Sequence, residues 1–469
     1  MPPLPFPTGR FEESARLRPV DLVAFPQVEL DDPGRHSSTP CPQPAPSAAA
    51  VADCDGPVRL GWRSGEMELA ADCDGRSLRL SVVSPRGRSV HRSRRFGRAG
   101  ARVRRLAVTL TGTQLTAFGD DGGGWIARGR VDLSHLGVPT RDPDWLAGLR
   151  VSHTGAAHHL RAGAFGALGL RDLRAVTEPD GSPYRPDGRI LLSATSAGPG
   201  FFATAHASVW ALDPVAGRLD QLSEITFRRD GRVYGDHALH LVHDPAAGWL
   251  VAASTWGGFT DRRRDRVSVT LATTSADLLA GRHVLDARPL ALPTEGLDSV
   301  GVWDPHLVRD EETEEWLVGF VSARRYFDFH PALATGPSLD ELRLRAAATD
   351  RRATEGTTLQ RFAEGWRILA SDGRDNPPDR RAQYPCFDLD FGQVGTLRSA
   401  YPSNLPWPTL VPVGEEWWHI AFDGTATGGE LSGYGTHGAV VVSRCRGAAE
   451  PRTAGGRNLR PGQSREGAS

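Results

Sequence analysis

Apolar and polar residues alternate in short runs along most of the chain, and turn-forming residues interrupt them about every eight to twelve positions. Between residues 55 and 165 the runs include SLRLSVVS, VRRLAVTLTG, TQLTAFGD and GGGWIARGRVDL. A period of two with Gly-rich turns predicts strands with one buried face, and such a density of them predicts a β-sandwich. Helical periodicity is almost absent, with only SLDELRLRAA and SADLLAG able to form a turn or two. The chain reads as all-β.

From about 166 to 445 the pattern repeats itself. LHLVHDPAAGWLVAAST, PHLVRDEETEEWLVGFVS, TTLQRFAEGWRILASDG and PTLVPVGEEWWHIAFDG each hold a short strand, a polar turn and a Trp opening a second strand. Their anchors are Trp249, Trp316, Trp366 and Trp418, spaced 67, 50 and 52 residues apart. A fifth copy without the Trp is LRDLRAVTEPDGSPYRPDGRILLSATS, at 170–196. Units of this size with several strands each are propeller blades, so five copies predict a five-bladed β-propeller following the sandwich. Residues 1–50, rich in Pro, Ser and Ala, read as a disordered or extended arm, and 446–469 as a disordered tail.

Composition narrows the function. The 55 basic and 56 acidic residues nearly cancel, which argues against a nucleic-acid or membrane-surface partner. Every basic residue is Arg, which excludes a Schiff-base lysine and a Lys-containing phosphate loop. Five scattered cysteines give neither a disulfide framework nor a zinc spacing, Cys54 and Cys73 reading as turns of neighbouring strands in twin ADCDG segments. The N-terminus lacks a signal-peptide apolar run and no segment is long enough to span a membrane, so the expected location is cytoplasmic. Export from a different start site stays open, as does the oligomeric state.

The first strand of each blade lines a propeller's central channel. Counting back from the Trp anchors, and matching RDLRAV to WDPHLV in the first copy, the channel mouth receives Asp172, Ala238, Asp304, Glu355 and Trp407. Three carboxyl groups in a ring of five are costly as packing. They suit glycoside hydrolysis, in which one carboxyl stays protonated and another ionised.

Five blades, WDPHL opening the third and TEGT opening the fourth resemble the superfamily of glycoside hydrolase families 43 and 32. That resemblance implies a carbohydrate substrate, no required cofactor, and a catalytic set of Asp172 as base or nucleophile, Asp304 before Pro305 as pKa modulator and Glu355 as general acid. Asp172 departs from the family's frequent Asp-Pro, and Asp236 in YGDHALH competes for its role. Asp236 and His237 are expected to line the pocket. Trp303, Tyr326 and Trp407 either stack on a sugar or pack between blades, while Arg324 and Arg325 either hold substrate or neutralise the acidic ring. Some family members hold an axial ion, which makes His437 a candidate ligand and a structural ion in the channel an option; a purely structural His is the alternative. RRLAVTLTGTQLTAFGDDGGGWIARGRVDL in turn resembles the concanavalin-like, laminin-G-type jelly roll. Two other readings remain: a phosphorylase or transferase using the Arg-rich loop at 261–266, and a non-catalytic carbohydrate-binding or interaction propeller.

Overall fold

The computed structural model describes residues 3–259, 266–424, 428–432 and 438–446. The Arg-rich loop at 261–265, His437 and the tail beyond Arg446 lie outside the described residues. Strands dominate, and they form five propeller sheets and one larger N-terminal sheet.

Each blade is an antiparallel meander. Blade one runs through Leu170–Ala175, Ile190–Ser196, His206–Asp213 and Arg218–Arg229. Blade two begins with His237–Asp244 and Gly248–Ser254, blade three with Gly301–Asp310 and Glu315–Arg325. Blade four opens with Thr354–Phe362 and Gly365–Asp372, blade five with Thr409–Val413 and Glu416–Asp423. The four anchoring Trp side chains sit near the start of the second strands, as the repeat predicted. Trp366 also links blades, its indole N–H donating to Asp310 Oδ1 of blade three at 3.2 Å.

The first fifty residues correct the expected arm. Glu12–Leu17 pairs antiparallel with Ala439–Arg446 and supplies the fourth strand of blade five. The propeller is thus closed by a strand from the opposite end of the sequence, and Arg16 reaches Asp423 to secure it. Upstream, Phe6 packs edge-on against Phe362 and the Pro5 carbonyl accepts from Trp417, pinning the N-terminus across blades four and five. Proline richness does not prevent this, because the prolines fall in connections and on edges where no amide is required.

Asp21–Leu30, His36–Pro40 and Ser47–Ser64 likewise join the N-terminal sheet, pairing with the long strand Arg150–Ala167. That ten-stranded sheet folds back so that 67–91 faces 105–132 around one apolar core, which includes Trp62, Leu80, Val108 and Leu160. All five cysteines are free and buried.

A buried polar cluster joins the two domains. Arg282 of the propeller contacts Glu224 at 2.7 Å and donates to Gln43 Oε1 of the sandwich at 2.8 Å. The sandwich also braces loops above the channel: Arg141 donates to the Gly257 carbonyl at 2.7 Å, and Arg130 to that of Pro199 at 3.3 Å.

Candidate active site

The innermost strands of blades one to four share one irregularity. Pairing to the second strand slips between Arg171 and Arg174, His237 and Leu239, Trp303 and His306, and Glu355 and Thr358. A residue in the left-handed region sits inside each slip: Asp172 at φ 52°, Ala238 at 53°, Asp304 at 57° and Gly356 at 73°. Non-glycine residues rarely occupy that region, and a bulge re-aims a side chain and ends regular pairing. The same bulge recurring at one depth in four blades builds the channel mouth.

This geometry refines the predicted ring. Asp172, Ala238 and Asp304 occupy equivalent bulges, but blade four places Gly356 there and Glu355 one residue before it. Only glycine fits at 356. A Cβ there would lie 2.6 Å from Trp407 Cδ1, on a backbone with φ 73°.

Despite that shift, Asp172, Asp304 and Glu355 line one cavity of about 360 Å³, a volume in the range of small-molecule sites. His237, Trp303, Tyr326 and Trp407 line it too. Part of its wall is aromatic: Phe202 stacks on Trp256 at 4.4 Å, and Trp303 lies parallel to Tyr326 at 6.0 Å. The cavity therefore combines carboxyl groups with flat aromatic surface. A groove of similar size on the sandwich has no aromatic wall, and its Arg59 and Asp72 satisfy each other at 2.6 Å.

Electrostatics distinguish the three acids. Asp304 is buried, and its pKa lies well above the ordinary 3.8 because of burial, then the nearby Glu355 and Asp172 charges. Its Oδ2 has no hydrogen-bond partner among the described residues. Glu355 is half-buried at the mouth, and burial followed by the Asp172 charge pushes it up to about 7. Arg171, which also lines the cavity, and a long 3.5 Å hydrogen bond from Trp407 Nε1 pull it back in part. His237 is buried and held below its usual pKa by that burial, with Nδ1 2.9 Å from the Gly235 carbonyl.

Three predicted binding residues are drawn elsewhere by ion pairs. Asp236 is fully buried against Arg229 at 2.9 Å and accepts the Gly257 amide, so it braces the Trp256 turn and does not line the cavity. Arg324 and Arg325 both pair with Asp328, at 2.7 and 3.2 Å, and neither lines the cavity.

The sequence reading missed Arg171, Phe201, Phe202, Trp256, Asp375 and Asn404, all of which line the cavity. Phe201, Phe202, Asp375 and Asn404 lie on connections between strands, which the repeat does not register. It also missed the rung two residues beyond each of the four bulges, Arg174, His240, His306 and Thr358, and Thr409, two residues beyond Trp407 in blade five. His240 and His306 stack at 4.0 Å and accept amides from the next blade, Leu307 N at 3.1 Å and Leu359 N at 3.3 Å. Burial holds both well below the usual histidine pKa, so they are neutral structural links.

The axial ion allowed for by the resemblance meets a cation already in place. The Arg174 guanidinium is fully buried beneath the carboxyl groups and lies 4.5 Å over the Trp407 ring. A metal ion at that position would face a fixed positive charge, and the surroundings do not fit one. Among the described residues no group of three or more His, Cys, Asp or Glu is arranged to hold a metal.

No protein-family model matches the chain, and no curated protein matches it. Solved structures do. An inulosucrase from Halalkalicoccus jeotgali bound to kestose is similar at 12% identity and TM-score 0.44, over 59% of this chain and 84% of that one. A family 117 glycoside hydrolase from Zobellia galactanivorans is similar at 10% identity and TM-score 0.42, over 59% and 84%. A β-xylosidase, RS223, is similar at 12% identity and TM-score 0.40, over 59% and 92%. Likenesses this remote say nothing about this chain's substrate.

Proposed function

We propose that the protein hydrolyses a glycosidic bond in the propeller cavity. The observation that carries this reading is the convergence of Asp172, Asp304 and Glu355, from three blades, on one cavity with an aromatic wall. Their environments differ as acid–base chemistry requires. Glu355, held protonated to about pH 7, donates a proton to the leaving oxygen. Asp172 acts on the sugar's anomeric carbon, as nucleophile or by activating water. Asp304, deeper and shielded from solvent, holds its proton and keeps a second full negative charge from building up beside Asp172. The partly exposed Tyr326 ring, parallel to the buried Trp303, gives the sugar a flat face to rest on.

Hydrolysis is favoured over a purely binding role because flat walls suffice to bind a sugar, whereas crowding acids raises their pKa values without helping to hold it. The test is a panel of aryl arabinosides, xylosides, fructosides and galactosides, with Asp304→Asn as control. Turnover of at least one by the wild-type protein, lost in the control, is expected. Binding of a panel sugar without turnover of any would assign the cavity to recognition instead.

A further inference from the structure

We propose that Arg174 is the resident cation of the propeller channel, a positioning residue that fixes the Asp304 bulge from below and sets a permanent positive charge beneath its carboxyl group. The inference rests on reading that set as the reacting centre.

Arg174 stands two residues after Asp172 on the same strand, so one blade delivers both a carboxylate at the mouth and a cation on the rung beneath. Its Nη2 donates to the backbone carbonyl of Asp304 at 3.1 Å, and its Nη1 to Thr358 Oγ1 at 2.8 Å. Thr358 in turn donates to the Gly356 carbonyl at 2.8 Å. One planar group thus ties together the bulges of blades one, three and four, which carry or adjoin the three acids. A point-charge ammonium could not make this fork.

The cost of the arrangement points to a role beyond packing. Arg174 has no exposed surface, its Nε has no hydrogen-bond partner, and no carboxylate lies within ion-pair distance of it among the described residues. A buried unpaired charge is strongly unfavourable unless its surroundings compensate. The compensating groups are the Asp304 backbone carbonyl, the Asp172 carboxyl above it and the Trp407 face beside it. Burial lowers its pKa to about 10, which leaves it charged at neutral pH. The other titratable groups facing it are His240 and His306, which its charge helps to keep neutral. On Asp304 it acts in the opposite direction, offsetting part of the rise imposed by burial and by its acidic neighbours.

The experiment compares wild type with Arg174→Gln, which is neutral but still a donor, and Arg174→Lys, which is charged but lacks the fork. Asp304 is followed through the carboxyl-carbon NMR signal absent from Asp304→Asn, and the pH profile of kcat/KM is recorded alongside. The Asp304 midpoint is expected to rise by about one pH unit or more in the Gln variant, because an opposite charge has been removed. In the Lys variant it stays near wild type while kcat falls by about tenfold, since the bulge has lost its anchor. Unchanged titration in the Gln variant would overturn the proposal, as would loss of wild-type turnover on treatment with a chelator. The NMR titration reads Arg174 even if no glycoside is cleaved, so failure of the hydrolase reading and failure of this one stay distinct.

Discussion

Replacing Glu355 with Gln should make the protein more stable at neutral and alkaline pH and no more stable in acid. In the folded state Glu355 titrates near 7 instead of 4.5, chiefly because of burial and the neighbouring Asp172. The unfolded chain releases that proton from about pH 4.5 upward while the folded protein keeps it, so stability falls as pH rises from 4.5 to 7. Below that window both states are protonated and nothing is lost; above it the loss is complete. A rise of this size is worth about 3 kcal/mol at 1.36 kcal/mol per pH unit, an upper limit for a half-buried group. Solvent screening at the cavity mouth reduces it to about 1–2 kcal/mol. Gln has the same shape and no charge to desolvate. Its melting temperature at pH 8 should exceed wild type by roughly 2–8 °C, at about 2–4 °C per kcal/mol for a large domain. Calorimetric scans at pH 4 and pH 8 read this directly. An equal gain at both values, or none at pH 8, would refute the claim that a carboxyl group is held there under strain.

Other consequences can be measured independently. The kcat/KM profile of the wild-type protein should fall above pH 7, by about tenfold per pH unit, as Glu355 loses the proton it donates; a profile level to pH 9 would contradict the acid assignment. Gly356→Ala should cost about 2 kcal/mol or more in urea unfolding, because it places a methyl group 2.6 Å from Trp407 on a left-handed backbone. Arg141→Ala releases the Gly257 carbonyl next to Trp256, and should raise KM several-fold while leaving kcat close to wild type.

The blades were legible because each is a local hairpin whose polar turn and buried Trp repeat in sequence. Register within them was legible only as far as the hairpin turns kept their length. The turn spans 311–314 in blade three but only 363–364 in blade four, so counting back from Trp366 lands on Glu355 while the bulge falls at Gly356. The closing strand Glu12–Leu17 carried no apolar signal, since it is an edge strand with most of its side chains in solvent. Asp21–Leu30 lay within the Pro-rich segment read as an arm, yet this strand pairs only with Arg150–Ala167 among the described residues, and an edge tolerates its proline at 26. Asp236 and Arg324 were misread for a related reason: a charged residue beside a channel strand gives no sign of whether Arg229 or Asp328 will reach it first. The aromatic wall depends on loops that the sandwich braces from outside the repeat.

Proton donation in the cavity is best tested by varying the leaving group in Glu355→Gln. A dinitrophenyl glycoside departs without a proton, whereas an alkyl glycoside needs one. The variant should lose ~10²-fold or more on the alkyl substrate and under about tenfold on the dinitrophenyl one. Equal losses on both, or undiminished cleavage of the alkyl glycoside, would contradict the account.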